Sequence, residues 1–437
     1  MAAFEPMLRR LGGVWVGWPG IELRRGEHLS FAGDPYQIKP VRIPKRDLRG
    51  YYHGFCNSAV WPLFHTLPGQ ATFRPEDWRA YERVNSRFAR VTAGAIGPEH
   101  LVFVNDYQLM RMPWRLRQRQ PAVRMGFFLH IPFPSYDVFR VLPWAKLVLR
   151  GLLSCDFVGF HVPDYARNFL DCARRLLKVS VDRRQGLASV EGRVVSVSAL
   201  PLGIDYEEFA SLASSAPGAG LAGGLKVILG VDRLDYTKGI PERLRAFEHL
   251  LETQPAHRQK VVFIQLAVPS RAEISGYRRL KREIDETVGR INGRFGTATW
   301  TPIRYLYNTV PQDRLCGMYR EADVALVTPL RDGMNLVAKE FVACQVEDPG
   351  VLVLSHLAGA AETMAEALKV NPYNIEDTSA KLHTALTMSE EERRARMKAL
   401  RQREAGTDVH AWADKLLTSL HEAAKLNRRP RRAVGAA

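Results

Sequence analysis

Val324-Ala-Leu-Val-Thr-Pro-Leu330, running into Arg331-Asp-Gly-Met-Asn-Leu-Val-Ala-Lys-Glu340, sets the architecture of what surrounds it. The first seven residues are nearly all apolar, the pattern of a strand covered on both faces. A polar turn containing Gly333 follows, and then the helix formers Leu336, Ala338, Lys339 and Glu340. Strand, tight turn and helix start together hold phosphate, because the first N–H groups of a helix lack intrahelical partners and carry partial positive charge. Asn335 suits the N-cap, and Gly333 permits close backbone approach. Glu340 falls one turn beyond Leu336 on the same face, within reach of ligand hydroxyls. An ordinary βα loop with solvated acidic groups has the same local pattern, so this stretch alone leaves both readings open.

A second segment favours the ligand reading. Lys226-Val-Ile-Leu-Gly-Val231 is another buried-strand pattern, and it enters Asp232-Arg-Leu-Asp-Tyr-Thr-Lys-Gly239. Arg233 and Lys238 then occupy a loop at the C-terminal end of a parallel strand, where open α/β sheets bind ligands. A diphosphate suits this pair: a forked guanidinium for two oxygens and a mobile point charge beside it. Among 62 Lys and Arg, two solvated cations would otherwise be unremarked.

The chain has 437 residues, more than one ordinary core accommodates, so two domains are expected. Hydrophobic content of 46% and charged content of 25% are those of a globular protein. No apolar run approaches the ~20 residues that cross a bilayer, and the N-terminus has no signal-like apolar segment. Five widely spaced cysteines lack zinc-ligand or redox spacing, which points to buried thiols in a reducing cytoplasm. The net charge of +16 is partly a basic tail (Lys425, Arg428, Arg429, Arg431, Arg432) that reads as disordered. No zinc finger, RNP-type strand or helix-turn-helix accompanies it, so anionic small substrates fit the excess better than nucleic acid.

Strand patterns cover Leu101–Asn105, Met125–His130, Phe157–His161, Val194–Leu200, Val227–Val231, Val261–Ala267, Val324–Val327 and Val351–Leu354. Helical periodicity covers Pro241–Thr253, Arg271–Val288 and Val409–Lys425. Continuous apolar strands alternating with helices predict an α/β chain of two doubly wound parallel-sheet, Rossmann-like domains facing a central cleft. The boundary is expected after Pro201-Leu-Gly-Ile204, with Ser211–Gly224 a flexible surface loop. No Gly-x-Gly-x-x-Gly fingerprint is expected in the chain, against a dinucleotide dehydrogenase, and no Asp-x-Asp offers a metal-diphosphate motif. Arg233 and Lys238 can stand in for that metal.

In the first half, Tyr51-Tyr-His-Gly-Phe-Cys-Asn-Ser-Ala-Val-Trp-Pro62 concentrates aromatic and polar groups with poor periodicity. Such rings are either sugar-stacking surfaces or core. Asn105-Asp-Tyr-Gln108 and Phe128-Leu-His-Ile-Pro-Phe-Pro134 place Asp106 and His130 at strand ends, facing the expected cleft.

In this order, these segments resemble the trehalose-6-phosphate synthase family of retaining GT-B glycosyltransferases. The likeness runs from about Leu11 to about His421 and includes Gly12-Gly-Val-Trp-Val-Gly-Trp18 and Gly289-Arg-Ile-Asn-Gly293. It implies transfer of glucose from UDP-glucose to glucose-6-phosphate, giving α,α-trehalose-6-phosphate and UDP, without a metal or other cofactor. It implies no nucleic-acid or membrane partner, and self-association of unspecified order. Under it, residues 1–202 form the acceptor-binding domain, 203–408 the nucleotide-sugar-binding domain, 409–425 a helix returning to the first domain, and 426–437 the basic tail.

Carried over by position, Arg233 and Lys238 are the donor-diphosphate clamp, and Leu336 and Val337 the helix-end donors, within a donor loop of Asp332, Gly333, Met334 and Asn335. Glu340 takes ribose hydroxyls, and Val310 makes a main-chain contact with the base. Asp332 holds the transferred glucose, with His130 near its 6-hydroxyl and Asp106 near the sugars. Tyr52, Trp61 and Arg290 belong to the acceptor site, Tyr52 and Arg290 at its phosphate. Retention is implied to proceed by same-face displacement, the departing phosphate oxygen accepting the acceptor hydroxyl's proton.

The family's usual opening, a Val-Ser-Asn-Arg strand followed by a paired-glycine loop, has no counterpart in these residues, because Met1-Ala-Ala-Phe4 already reads as the next helix. The expectation is that the true start lies upstream; a short form with weak acceptor affinity is the alternative. Glucosylglycerol-phosphate synthase, with a smaller acceptor, and a catalytically silent sugar-phosphate sensor are the remaining readings.

Overall fold

The computed structural model describes residues 5–21, 36–221, 223–271, 274–347 and 350–427. Arg428–Ala437, where most of the basic tail was expected, lies outside them. The chain divides into two compact units, Met1–Pro201 with Trp412–Ala437, and Leu202–Ala411.

In the first unit, β1 (Gly13–Gly17) pairs in parallel with β2 (Tyr36–Pro40) as a separate ribbon. The main sheet contains β3 (Leu101–Asn105), β4 (Arg124–Phe128), β5 (Phe157–Phe160), β6 (Ser180–Asp182), β7 (Leu187–Val190) and β8 (Arg193–Ala199). Its order is β3-β4-β5-β8-β7-β6, parallel through β8 and antiparallel beyond. From Trp412 onward the final helix, Val409–Leu426, belongs to this unit. Trp412 packs edge-on against Phe128 at 5.2 Å and donates to the Leu200 carbonyl. Leu420 lies over Gly126, where an added Cβ would come within 3.2 Å of it.

The second unit has β9 (Lys226–Arg233), β10 (Val261–Val268), β11 (Ile303–Leu306), β12 (Val324–Val327), β13 (Val351–Ser355) and β14 (Leu368–Val370). All pair in parallel, in the order β11-β10-β9-β12-β13-β14. The continuous apolar runs have their physical cause here. Val227, Leu229 and Val231 enter one core layer and Ile228 the other; Ala325 and Val327 alternate likewise with Val324 and Leu326. Helices cover both faces, so neither side of a strand need be polar. Truncating a side chain such as Phe263 to Ala in that layer costs about 3–5 kcal/mol.

Two loop readings change. Ser211–Ser215 is not loop but the end of the Tyr206–Ser215 helix. Ser214 and Ser215 return their hydroxyls to the carbonyls of Ala210 and Ser211, which lets serines persist in a helix. Contrary to the expectation that the chain has no such spacing, Gly218-Ala-Gly-Leu-Ala-Gly223 does match the dinucleotide fingerprint, but it leads into β9, the wrong end of a strand for a phosphate loop. Among the described residues no helix is long and apolar enough to cross a membrane.

Candidate active site

The second unit's strand order runs one way from β9 to β11 and the other way from β12 to β14. The reversal therefore falls between neighbours β9 and β12, and the crevice beyond the carboxyl ends of such strands is where ligands bind. Leaving β9, Asp235 accepts from the Thr237 N–H (3.0 Å) and hydroxyl (2.9 Å), which closes a short turn at Tyr236–Lys238. Gly239 follows with φ +66°, and a Cβ there would lie 2.3 Å from the Thr328 carbonyl oxygen. Conformation and space both demand glycine.

Arg243, on the next helix, fastens this turn from beneath. Its guanidinium is buried and pairs with Asp232 at 2.5 Å. It also donates to Thr328 Oγ1 (3.1 Å), Gln265 Oε1 (3.2 Å) and the Lys238 carbonyl (3.0 Å). A charge out of water persists only when it is this fully partnered. Burial pushes the Asp232 carboxyl up, opposed by Arg243 and Lys238. Asp235 ends below the usual range: burial raises it, but Arg271 and the Thr237 N–H outweigh that.

Leaving β12, Leu330 N–H donates to the Thr237 carbonyl at 2.7 Å, so the two loops share a backbone bond. Asp332 receives Lys238 Nζ at 2.5 Å and Asn335 Nδ2 at 3.0 Å. Met334 accepts from the Ala360 N–H at 2.8 Å, and Gly333 is buried beside Gly359, where a Cβ would strike the Gly333 oxygen. Asn335 adopts φ +78° and caps the Ala338 N–H at 3.2 Å, opening the Leu336–Cys344 helix. Leu336 and Val337, half-buried, are its first two residues. Glu340 is half-buried, and burial pushes its carboxyl up while a 3.0 Å bond from Tyr319 Oη pulls it down. Arg233 is exposed at the end of β9, and Val310 lies partly buried between β11 and the Gln312–Glu321 helix.

The first unit builds a second cluster. Asp106 sits at φ +69°, ψ 171°, a region essentially reserved for glycine. Its Oδ1 accepts from the N–H groups of Tyr107 (2.9 Å) and His130 (3.1 Å), and its own N–H donates to Phe128. His130 Nε2 lies 3.2 Å from Asn105 Oδ1, and its ring contacts those of Phe128 and His161. Burial pushes this imidazole down to about 3. The aperiodic aromatic segment is a π-helix, Arg49–Val60. Asn57 Nδ2 and Ser58 Oγ bond carbonyls five residues back, at Tyr52 and His53. Asn57 Oδ1 accepts from Tyr107 Oη at 3.0 Å, which ties the π-helix to the residue beside Asp106. Tyr52 is half-buried, whereas Trp61 is only 5% exposed, its ring against those of His65 and Tyr107.

Arg290 is the residue the structure does not bring to the ligand end of the sheet. It is exposed, grips the Glu248 carboxylate with both Nη groups, and lies two residues before Asn292. Asn292 exchanges side-chain bonds with Ile303, the first residue of β11. Helix ends lie beside the starts of parallel strands, so Arg290 occupies the opposite edge. The cation beyond β10 is Arg271, at φ +48°, bonded to Asp235 Oδ2 (3.0 Å) and Tyr277 Oη (2.6 Å). The strand-end rule that singled out Arg233 would also have found it. Among the described residues no cluster of three or more His, Cys, Asp or Glu is placed to hold a metal.

The family model for glycosyltransferase family 20 matches residues 1–422. The trehalose-6-phosphate synthase of Mycobacterium avium is 42% identical over 97% of this chain and 89% of its own length. A Burkholderia xenovorans alpha,alpha-trehalose-phosphate synthase (UDP-forming), solved with glucose-6-phosphate, superposes with TM-score 0.91 at 36% identity, covering 96% of each chain. An E. coli structure bound with UDP-2-fluoro glucose gives TM-score 0.92 at 35% identity, over 96% of this chain and 94% of that one. A match of this extent, on two parallel-sheet units with a switch-point cluster, has one meaning: the chain belongs to glycosyltransferase family 20.

Proposed function

We propose that this chain transfers glucose from UDP-glucose to glucose-6-phosphate with retention, forming α,α-trehalose-6-phosphate and UDP. The observation that carries the reading is the switch-point cluster, in which Lys238, Asp332 and Asn335 are joined at the start of the Leu336–Cys344 helix.

Arg233, Lys238 and the N–H groups of Leu336 and Val337 take the diphosphate. As the anomeric C–O bond breaks, negative charge grows on the departing phosphate, and preplaced cations and helix N–H groups stabilise that state more than the ground state. They supply the positive charge a metal would otherwise bring, so no metal is proposed. Asp332 and Asn335 orient the glucose, Glu340 accepts from ribose hydroxyls, and Val310 meets the base through its main chain. His130, held neutral by burial, and Asp106 position sugar hydroxyls rather than exchange protons. The acceptor's hydroxyl oxygen bonds to the anomeric carbon, and its proton passes to the departing phosphate oxygen. Tyr52 and Trp61 serve the acceptor; Arg271, not Arg290, is the cation assigned to its phosphate. A cytoplasmic location fits five cysteines that are all buried and outside disulfides.

Measuring UDP release with glucose-6-phosphate, glycerol-3-phosphate or no acceptor tests this directly. Release dependent on glucose-6-phosphate is expected. A preference for glycerol-3-phosphate would make the chain a glucosylglycerol-phosphate synthase, and no release with either would make it a sugar-phosphate sensor.

A further inference from the structure

Tyr319, on the Gln312–Glu321 helix, is only 1% exposed and lies in the core layer that also holds Phe341 and Cys344. Its ring meets that of Phe341 edge-on at 6.5 Å. Its carbonyl accepts at 2.5 Å from Nε2 of Gln345, the residue that ends the Leu336–Cys344 helix. Ring and main chain are both held, and the hydroxyl is out of reach of water. A buried phenol needs a partner, and this one donates to Glu340 Oε2 at 3.0 Å. Among the described residues no cation pairs with Glu340, and Tyr319 supplies its one side-chain hydrogen bond. The other titratable groups around the pair do not take that place. Cys316 sits on the helix of Tyr319, Cys344 on that of Glu340, Asp232 on β9 and Glu208 on the Tyr206–Ser215 helix, and none brings positive charge. Arg320, whose charge reaches Cys344, donates to the Ala213 carbonyl.

We propose that Tyr319 is the positioning residue for the donor's ribose, holding Glu340 as an acceptor aimed at the sugar's hydroxyls. This rests on the donor-site reading, in which Glu340 takes those hydroxyls. A carboxylate has about four lone-pair sites on two oxygens. With Oε2 held from the core side, Oε1 is left for the ribose and the plane of the group is set. Ionisation matters as much as direction, because hydrogen bonds to a charged acceptor are about twice as strong as neutral ones. Burial alone pushes the Glu340 carboxyl up, and the Tyr319 bond pulls it back. Without that hydroxyl the carboxyl takes up its proton at higher pH, so the ribose contact is lost sooner as pH falls.

The test compares the full chain with Tyr319→Phe, Glu340→Gln and the double substitution. Each is titrated calorimetrically with UDP and with 2′,3′-dideoxyuridine diphosphate across about pH 5 to 8. The wild type is expected to prefer UDP roughly tenfold, the worth of bonds to a charged acceptor. Tyr319→Phe is expected to lose most of that preference at the acid end and less at the alkaline end. Its binding of the dideoxy nucleotide is expected to match wild type, which also shows that it is folded. Added to Glu340→Gln, the same substitution is expected to change nothing further. A loss equal for both nucleotides or equal at every pH, or further weakening on top of Glu340→Gln, makes Tyr319 a packing residue and overturns the proposal. Unchanged preference in Tyr319→Phe overturns it as well. A wild type that binds both nucleotides equally would instead overturn the ribose assignment of Glu340, and one that binds neither would overturn the donor reading.

Discussion

Lys238 Nζ lies 2.5 Å from Asp332 Oδ2, joining the loop that leaves β9 to the loop that leaves β12. The ammonium proposed for the donor diphosphate is therefore paired with the carboxylate proposed for the sugar. On the proposed assignment, Lys238 turns to the diphosphate and Asp332 is freed for the glucose hydroxyls. Asp332→Asn keeps the shape and removes the competing charge. The variant is expected to bind UDP at least as tightly as wild type, while kcat falls roughly 10²–10³-fold, as when one group stabilising a transition state is lost. UDP binding weakened in step with kcat would show that Asp332 merely holds the loop.

Arg271 and Arg290 divide cleanly. Arg290 pairs with Glu248 at the edge where strands begin, and Arg271 stands beyond the end of β10. Arg271→Ala is expected to raise KM for glucose-6-phosphate at least tenfold, about 1.4 kcal/mol. Arg290→Ala is expected to change it less than twofold. Steady-state kinetics with varied acceptor measures both, and the reverse ranking would restore Arg290 to the site.

Much of this was legible in the residues, for a physical reason. Val324–Val327 was read with the observed limits because a strand covered on both faces leaves an unbroken apolar run. The Asn335 cap was legible because only a few side chains can accept from a helix's first N–H groups. Edge and exposed strands were not. Ile303-Arg-Tyr-Leu306 and Ser180-Val-Asp182 are half polar, so neither contrasts with its surroundings. The Arg49–Val60 segment looked aperiodic because its bonds run five residues back, outside the repeats a sequence pattern tests. Arg290 sits away from the ligand end of the sheet because a residue near the end of a long helix has been carried back to the start of the next strand, which its motif does not reveal. Arg271 stands just after β10, where the strand-end rule looks.

Asp106 carries backbone strain that a glycine would not feel. Comparing Asp106→Gly with Asp106→Ala isolates it, since both lose the same carboxylate bonds to Tyr107 and His130. The glycine variant is expected to be more stable by about 1–3 kcal/mol in urea unfolding, with both variants impaired in turnover. Equal stabilities would mean that the backbone relaxes without the side chain.

Burial pushes His130 down to about 3 from an ordinary value of 6.5. Between those values the unfolded chain binds a proton that the folded chain refuses. The contribution is therefore complete above pH 6.5 and is lost progressively as pH falls towards 3. His130→Asn should flatten the fall in urea midpoint over the upper part of that window. Parallel curves for the two proteins would contradict a buried, neutral His130.

Fixed positive groups at the switch point holding a nucleotide diphosphate is the proposition on which the donor assignments depend. Calorimetric titration of UDP into the wild type and into Arg233→Ala/Lys238→Ala tests it. Saturable binding by the wild type is expected, weakened at least 100-fold, about 2.7 kcal/mol, in the variant. Equal UDP affinity in two equally well folded proteins would contradict it.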